Sequence, residues 1–150
     1  MPDTSFLDWP FFEDRHRELA ATLESWAHAN LRGIDHSDVD KACRSLVAML
    51  GRDGWLVHSA PDPANPEAKL DVRSLCLIRE IMTRHDGLAD FSFAMQGLGT
   101  GAISLFGTPQ QKQDWLTLTR SGKAIAAYAL SEPKSGSDVA NIEAAARRDG

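Results

Sequence analysis

Hydrophobic positions recur at helical intervals through most of this chain. Within residues 10–31, Leu19, Leu23, Trp26 and Ala27 fall at i, i+4, i+7 and i+8, which predicts an amphipathic helix with the charges of EDRHRE as a solvated face. After the turn GIDHSD, Val39, Cys43, Leu46, Val47 and Leu50 repeat with the same spacing, and Gly51 and Gly54 stop the run. WLVHS reads as a short apolar connector and PDPANPEAK as a proline-rich surface loop. A third helix is predicted over 70–85 on Leu75, Ile78 and Met82. Leu77 and Ile81 widen its stripe enough to bury more than one side, and Asp86-Gly87 breaks it. Residues 91–106 are apolar on most faces, with Gly97, Gly99 and Gly101 between them. A glycine inside a helix costs about 1 kcal/mol, and close approach of a neighbour or ligand is one reason to carry it. GTPQQ is a helix start: Thr108 is the N-cap, Pro109 sits at N1, and Gln111 at N3 closes a capping box. Trp115, Leu116 and Leu118 are the expected buried side of this fifth helix, and Gly122 ends it.

The period then changes. Residues 124–130 read as a buried strand. Ala140, Ile142, Ala144 and Ala146 alternate with Asn141, Glu143, Ala145 and Arg147 as a weaker one. Asp149-Gly150 favours a hairpin turn, which leaves the returning strand to be found elsewhere and gives the expectation of a fragment. The predicted fold is mainly α: a bundle of about five helices over 1–123, then the first strands of a second unit over 124–150.

Composition narrows the function. A chain of 150 residues can bury one core of its own. A net charge of −5, without a basic stripe interleaved with aromatics, argues against nucleic acid as the partner. No apolar run approaches the ~20 residues of a spanning helix. The acidic start, MPDTSFLDWPFFEDRH, is unlike a secretory leader. Cys43 and Cys76 lie in apolar helical patterns and read as buried free thiols of a reducing cytoplasm, so the expected location is cytoplasmic. His16, His28, His36, His58 and His85 show no ligand spacing; they read as surface or capping residues, and no metal site is expected. Trp9, Trp26, Trp55 and Trp115 read as core anchors.

The chemistry concentrates in residues 131–138. Pro133 fixes its own φ and pushes Glu132 into an extended conformation, making a rigid corner. Gly136 lets a ligand approach the backbone, Ser131, Ser135 and Ser137 offer hydroxyls, and successive amides can form a nest for anionic oxygens. The same residues also make an ordinary polar turn.

The segment YALSEPKSGSD closely resembles the flavin-binding signature of acyl-CoA dehydrogenases, in which an aromatic or small residue precedes Thr/Ser-Glu-Pro-x-x-Gly-Ser-Asp. Upstream, GTPQQKQDWL resembles that family's Gly-x-x-x-Gln-Lys-x-x-aromatic-Leu helix, in the same order and at a similar separation. The resemblance covers essentially the whole chain. It implies the family's N-terminal helical domain followed by the start of its β-barrel-like middle domain, with the C-terminal part absent. One segment departs: WLVHSAPDPANPEAK lacks the family's Pro-Glu-x-x-Gly-Gly stretch.

The resemblance implies FAD as cofactor and α,β-dehydrogenation of an acyl-CoA thioester, with hydride passing to flavin N5. Tyr128, Ala129, Leu130, Ser131, Gly136 and Ser137 match cofactor-binding positions. Ser131 would donate to the pyrimidine edge, where reduction places negative charge. Ser137 would touch both cofactor and substrate. Phe91, Ala94, Met95 and Leu98 match the wall of the acyl pocket, although plain core packing explains them equally well. Glu132 matches a structural position. The catalytic base is expected beyond residue 150. Electron-transfer flavoprotein is the implied electron acceptor, and the family is commonly homotetrameric, so a homo-oligomer is expected. Two alternatives stay open: the same fold working as an oxidase or flavin monooxygenase with oxygen as acceptor, and a non-catalytic helical interaction domain.

Overall fold

The computed structural model describes residues 3–149 and contains five α-helices there: α1 (Asp14–Asn30), α2 (Val39–Arg52), α3 (Val72–His85), α4 (Gly87–Phe106) and α5 (Pro109–Arg120). All five expected helices form. Short 3-10 turns lie at Ser5–Asp8, Trp55–His58 and Val139–Asn141. The helix ends follow local chemistry. Asp38 caps α2 by accepting from the Lys41 amide, and Thr108 and Gln111 form the reciprocal capping box of α5. Asp86 ends α3 and starts α4, its carboxylate accepting from the Leu88 and Ala89 amides, so the two helices turn on a single residue.

Helix α4 lies at the centre and packs against α2, α3 and α5, while α1 covers α3 from the other side. The core runs from Leu23, Ala27 and Leu31 of α1 through Leu46, Val47 and Leu50 of α2 to Ile78, Ile81 and Met82 of α3 and Phe93 of α4. Gly51 and Gly122 make α2 and the end of α5 nearly touch: a Cβ on Gly51 would stand 2.6 Å from the Gly122 Cα. No helix among the described residues is long and apolar enough to cross a membrane.

Several expectations need correction. The segment 124–130 is extended but pairs with no strand among the described residues, and it is not buried: Ile125 is 55% and Tyr128 52% exposed. A strand is completed by its ladder partner, and the only bridge described nearby joins Glu132 to Ser135. The second expected strand is instead a 3-10 turn at Val139–Asn141 followed by exposed irregular chain. The Asp149-Gly150 turn ends outside the described residues. On α5 only Leu116 of the expected trio is buried; Trp115 and Leu118 face outward, because the helix meets α4 along Leu116 and Thr119. Trp55 is buried and Trp26 packs against the core, but Trp9 and Trp115 are exposed. Cys43 is half-buried and Cys76 exposed, so neither is the fully buried thiol expected. His16 does cap α1, accepting the Glu13 N–H at Nδ1, yet it is wholly buried.

Candidate functional site

The corner forms as a tight local turn. Glu132 and Ser135 exchange backbone hydrogen bonds at 2.7 and 3.1 Å across Pro133 and Lys134. The buried Ser135 donates its hydroxyl to the Asp138 carbonyl at 2.6 Å, which closes the next turn. The Glu132 carboxylate accepts the Glu143 and Ala144 amides at 2.7 and 2.9 Å and so ties the tail of the chain to the corner. Of the three serines, Ser135 is therefore structural. Ser131 and Ser137 are exposed, and among the described residues neither hydroxyl has a hydrogen-bond partner. A Cβ on Gly136 would meet nothing within 4 Å, so its backbone is open to approach.

The segment leading into the corner rests on α4. Gln96 accepts the Ala126 N–H at 2.9 Å, and Gly99 leaves room for the Ala127 backbone and the Ala126 Cβ. Gly97 approaches the Ser59 carbonyl in the same way. These two glycines bear out the close approach expected of this helix. Gly101 has open space around it and does not.

The four expected wall residues of α4 divide between two grooves. Phe91 and Met95 join Cys43 and Val47 of α2 and residues 125–128 around a groove of about 270 Å³, which brings Phe91 and Met95 beside Tyr128. Ala94 and Leu98 face the other way, into a groove of about 210 Å³ with Leu70, Leu75 and Arg79. Phe93, 1% exposed, belongs to the core and forms the floor of that second groove. Arg79 clasps Asp90 through two hydrogen bonds of 2.9 Å, which neutralises the only charged side chain lining the groove.

Sequence reasoning missed Gln96, Ser92 and Cys43. Ser92, Gln96 and Thr100 lie at i, i+4 and i+8 on an otherwise apolar helix and are all buried. That polar stripe was the available signal. The Ser92 hydroxyl lines the larger groove and has no partner among the described residues.

His58, Asp62, Lys69, Asp71 and Arg120 gather around one groove at the ends of the proline-rich loop. His58 is mostly buried, and its pKa is pushed down first by that burial and then by the Arg120 charge. Arg120 donates to the Val57 carbonyl at 2.7 Å and to the Ala60 carbonyl, holding the end of the 3-10 turn Trp55–His58. This cluster anchors the loop. None of its residues lines the groove of residues 125–128 that leads into the serine corner.

The family model described as the N-terminal domain of acyl-CoA dehydrogenases matches residues 13–123. Over 140 residues, 91% of its length, the chain is 30% identical to a probable acyl-CoA dehydrogenase of Mycobacterium leprae and covers 36% of that protein. It is 33% identical over 143 residues to the mitochondrial short-chain specific acyl-CoA dehydrogenase of Bos taurus, covering 91% of this chain and 34% of that one. A crystal structure of an acyl-CoA dehydrogenase complexed with FAD from Bacillus anthracis superposes with a TM-score of 0.70 at 32% identity, over 87% of this chain and 23% of that chain. The chain thus spans about a third of the length of these two curated relatives.

Proposed function

The chain belongs to the acyl-CoA dehydrogenase family, and we propose that it supplies the N-terminal helical domain, over 1–123, and the opening of the middle domain, over 124–150, of an FAD-dependent acyl-CoA dehydrogenase. The observation that carries this reading is the corner at 131–137, where two exposed hydroxyls without partners flank an open glycine backbone.

The residues present fit FAD. Ser131 offers a hydroxyl and an amide to the edge of a polar ring, Gly136 and Ser137 offer backbone and hydroxyl to an anionic side chain, and Tyr128 with Leu130 offers apolar contact. When bound, FAD supplies the two-electron acceptor for α,β-dehydrogenation of an acyl-CoA thioester. The chain's own part is to bind and orient. Ser131, held at a rigid corner, directs its donors without rearrangement, which is the condition for stabilising charge that develops during reaction. Ser137 would contact both cofactor and substrate. Of the four expected wall residues, Phe91 and Met95, in the groove with Tyr128, would exclude water from the acyl chain, while Ala94 and Leu98 line the groove on the other side of α4. Glu132 is occupied by two amides and Asp90 by Arg79, so we assign the α-proton base to neither. Electron-transfer flavoprotein is the proposed acceptor.

The test is the visible absorption spectrum of the complete gene product, purified without added cofactor and titrated anaerobically with acyl-CoAs of several chain lengths. Flavin bands that bleach with one thioester support the proposal and give the substrate class. A protein that takes up no FAD refutes the assignment of residues 128–137.

A further inference from the structure

We infer that Gln96, together with Gly99, is a positioning residue: it pins the register of 124–130 on α4 and so decides which groups of that segment face the cofactor. The inference rests on the function proposed above, but the pin itself is a matter of geometry. Gln96 is 1% exposed on a largely apolar helix, in a buried polar stripe with Ser92 and Thr100. A buried carboxamide is costly unless paired, and this one is paired at both ends. Its Nε2 donates to the Ser92 carbonyl at 3.1 Å, and its Oε1 accepts the Ala126 N–H at 2.9 Å. Thr100 steadies the same turn by donating to the Gln96 carbonyl at 2.7 Å.

Gly99 supplies the second constraint. A Cβ there would stand 2.6 Å from the Ala127 carbonyl oxygen and 2.8 Å from the Ala126 Cβ, so the segment lies directly on the helix surface. The two contacts, the Ala126 N–H on Gln96 and Ala127 on Gly99, are met together in only one register of the segment. A slip of one residue turns every side chain to the opposite face. Tyr128 and Leu130 would then exchange places with Ala127 and Ala129, and Ser131 would turn away from its assigned role.

The test uses three variants of the complete gene product: Gln96→Met, Gly99→Ala and Gly101→Ala. The last makes the same change two residues further on, where a Cβ meets nothing within 4 Å. FAD affinity is read from quenching of flavin fluorescence, register from hydrogen exchange at the Ala126 amide, and folding from helical circular dichroism. Gln96→Met and Gly99→Ala are expected to weaken FAD binding by about 10-fold or more and to speed Ala126 exchange by a similar factor, the scale of one lost buried hydrogen bond. Gly101→Ala is expected to match the parent. A fourth variant, Gln96→Glu, tests the chemistry of the pin. Only its protonated carboxyl both accepts from Ala126 and donates to the Ser92 carbonyl, so it should bind FAD more tightly at pH 6 than at pH 8, relative to the parent. Parent-like FAD affinity in all variants overturns the pin and leaves the proposed function standing. If the parent itself binds no FAD, that function falls and exchange decides the pin. An Ala126 amide protected in the parent and released in Gln96→Met supports it, and equal exchange overturns it.

Discussion

Asp71→Asn should destabilise the bundle at neutral pH and cease to matter in acid. Asp71 caps α3, accepting the Arg73 and Ser74 amides at Oδ1. At Oδ2 it accepts the Ser74 hydroxyl at 3.0 Å and His16 Nε2–H at 3.1 Å, with Arg15 3.1 Å away. His16 takes the Glu13 N–H at Nδ1, so its proton sits on Nε2 and its bond to Asp71 joins the starts of α1 and α3. Burial alone would raise the Asp71 carboxyl, but hydrogen bonds from Ser74 and His16 outweigh it and hold the pKa at about 2, against an ordinary 3.8. For a side chain 25% exposed, a difference of that size is worth about 2 kcal/mol at neutral pH. The carboxyl is depressed on folding, so its contribution is full above pH ~4 and is lost as the pH falls toward 2, with about half gone near pH 3. Asn keeps the volume but turns an amide donor toward one set of donors. Urea unfolding followed by circular dichroism should show Asp71→Asn about 2 kcal/mol less stable at pH 7, with Tm lower by about 4–8 °C, and the gap about halved by pH 3. A gap that stays constant from pH 7 to pH 3, or no gap at pH 7, would refute the assignment of that stability to the ionised carboxylate.

Three further outcomes follow from local geometry. Thr108→Ala removes the N-cap of α5 and should cost about 1 kcal/mol in urea unfolding; no loss would mean the capping box is idle. Gly51→Ala places a Cβ 2.5 Å from the Ser121 carbonyl oxygen and 2.6 Å from the Gly122 Cα. Both are backbone atoms that cannot swing aside, so a loss of about 1–3 kcal/mol is expected, and an unchanged midpoint would contradict the contact. With Ellman's reagent, the exposed Cys76 should label before the half-buried Cys43, which lines the groove beside Tyr128. Equal rates would show that groove to be more open than described.

What the sequence made legible was local. The Thr108/Gln111 box and the Asp86 break depend on residues within three or four positions of each other, and both form as expected. The α5 stripe was misjudged for a related reason. Periodicity reports which residues are apolar, but tertiary neighbours choose the buried face, so Leu116 is covered while Trp115 stays exposed. His16 was read, with the other histidines, only as a surface or capping residue; its cap on Glu13 is local, three residues away, but its burial depends on Asp71, 55 residues away.

The same distinction separates the corner from the groove. Ser131, Gly136 and Ser137 stand out in sequence because a polar turn with open amides is a local object, and the structure leaves all three accessible. Gln96 does not stand out, since its meaning lies in the Ala126 amide 30 residues further on. A lone glutamine in an apolar helix is ambiguous until its partner is found. The expected burial of 124–130 failed in the opposite direction. An apolar run describes an extended segment, but burial requires a second surface, and α4 meets one side of it through Gln96, Gly99 and the groove with Phe91 and Met95. That limited docking leaves Tyr128 half-exposed, with its ring beside Phe91 and Met95. Gln96, buried beneath the segment and hydrogen-bonded through both Nε2 and Oε1, is the contact by which we infer that the helical domain sets its register.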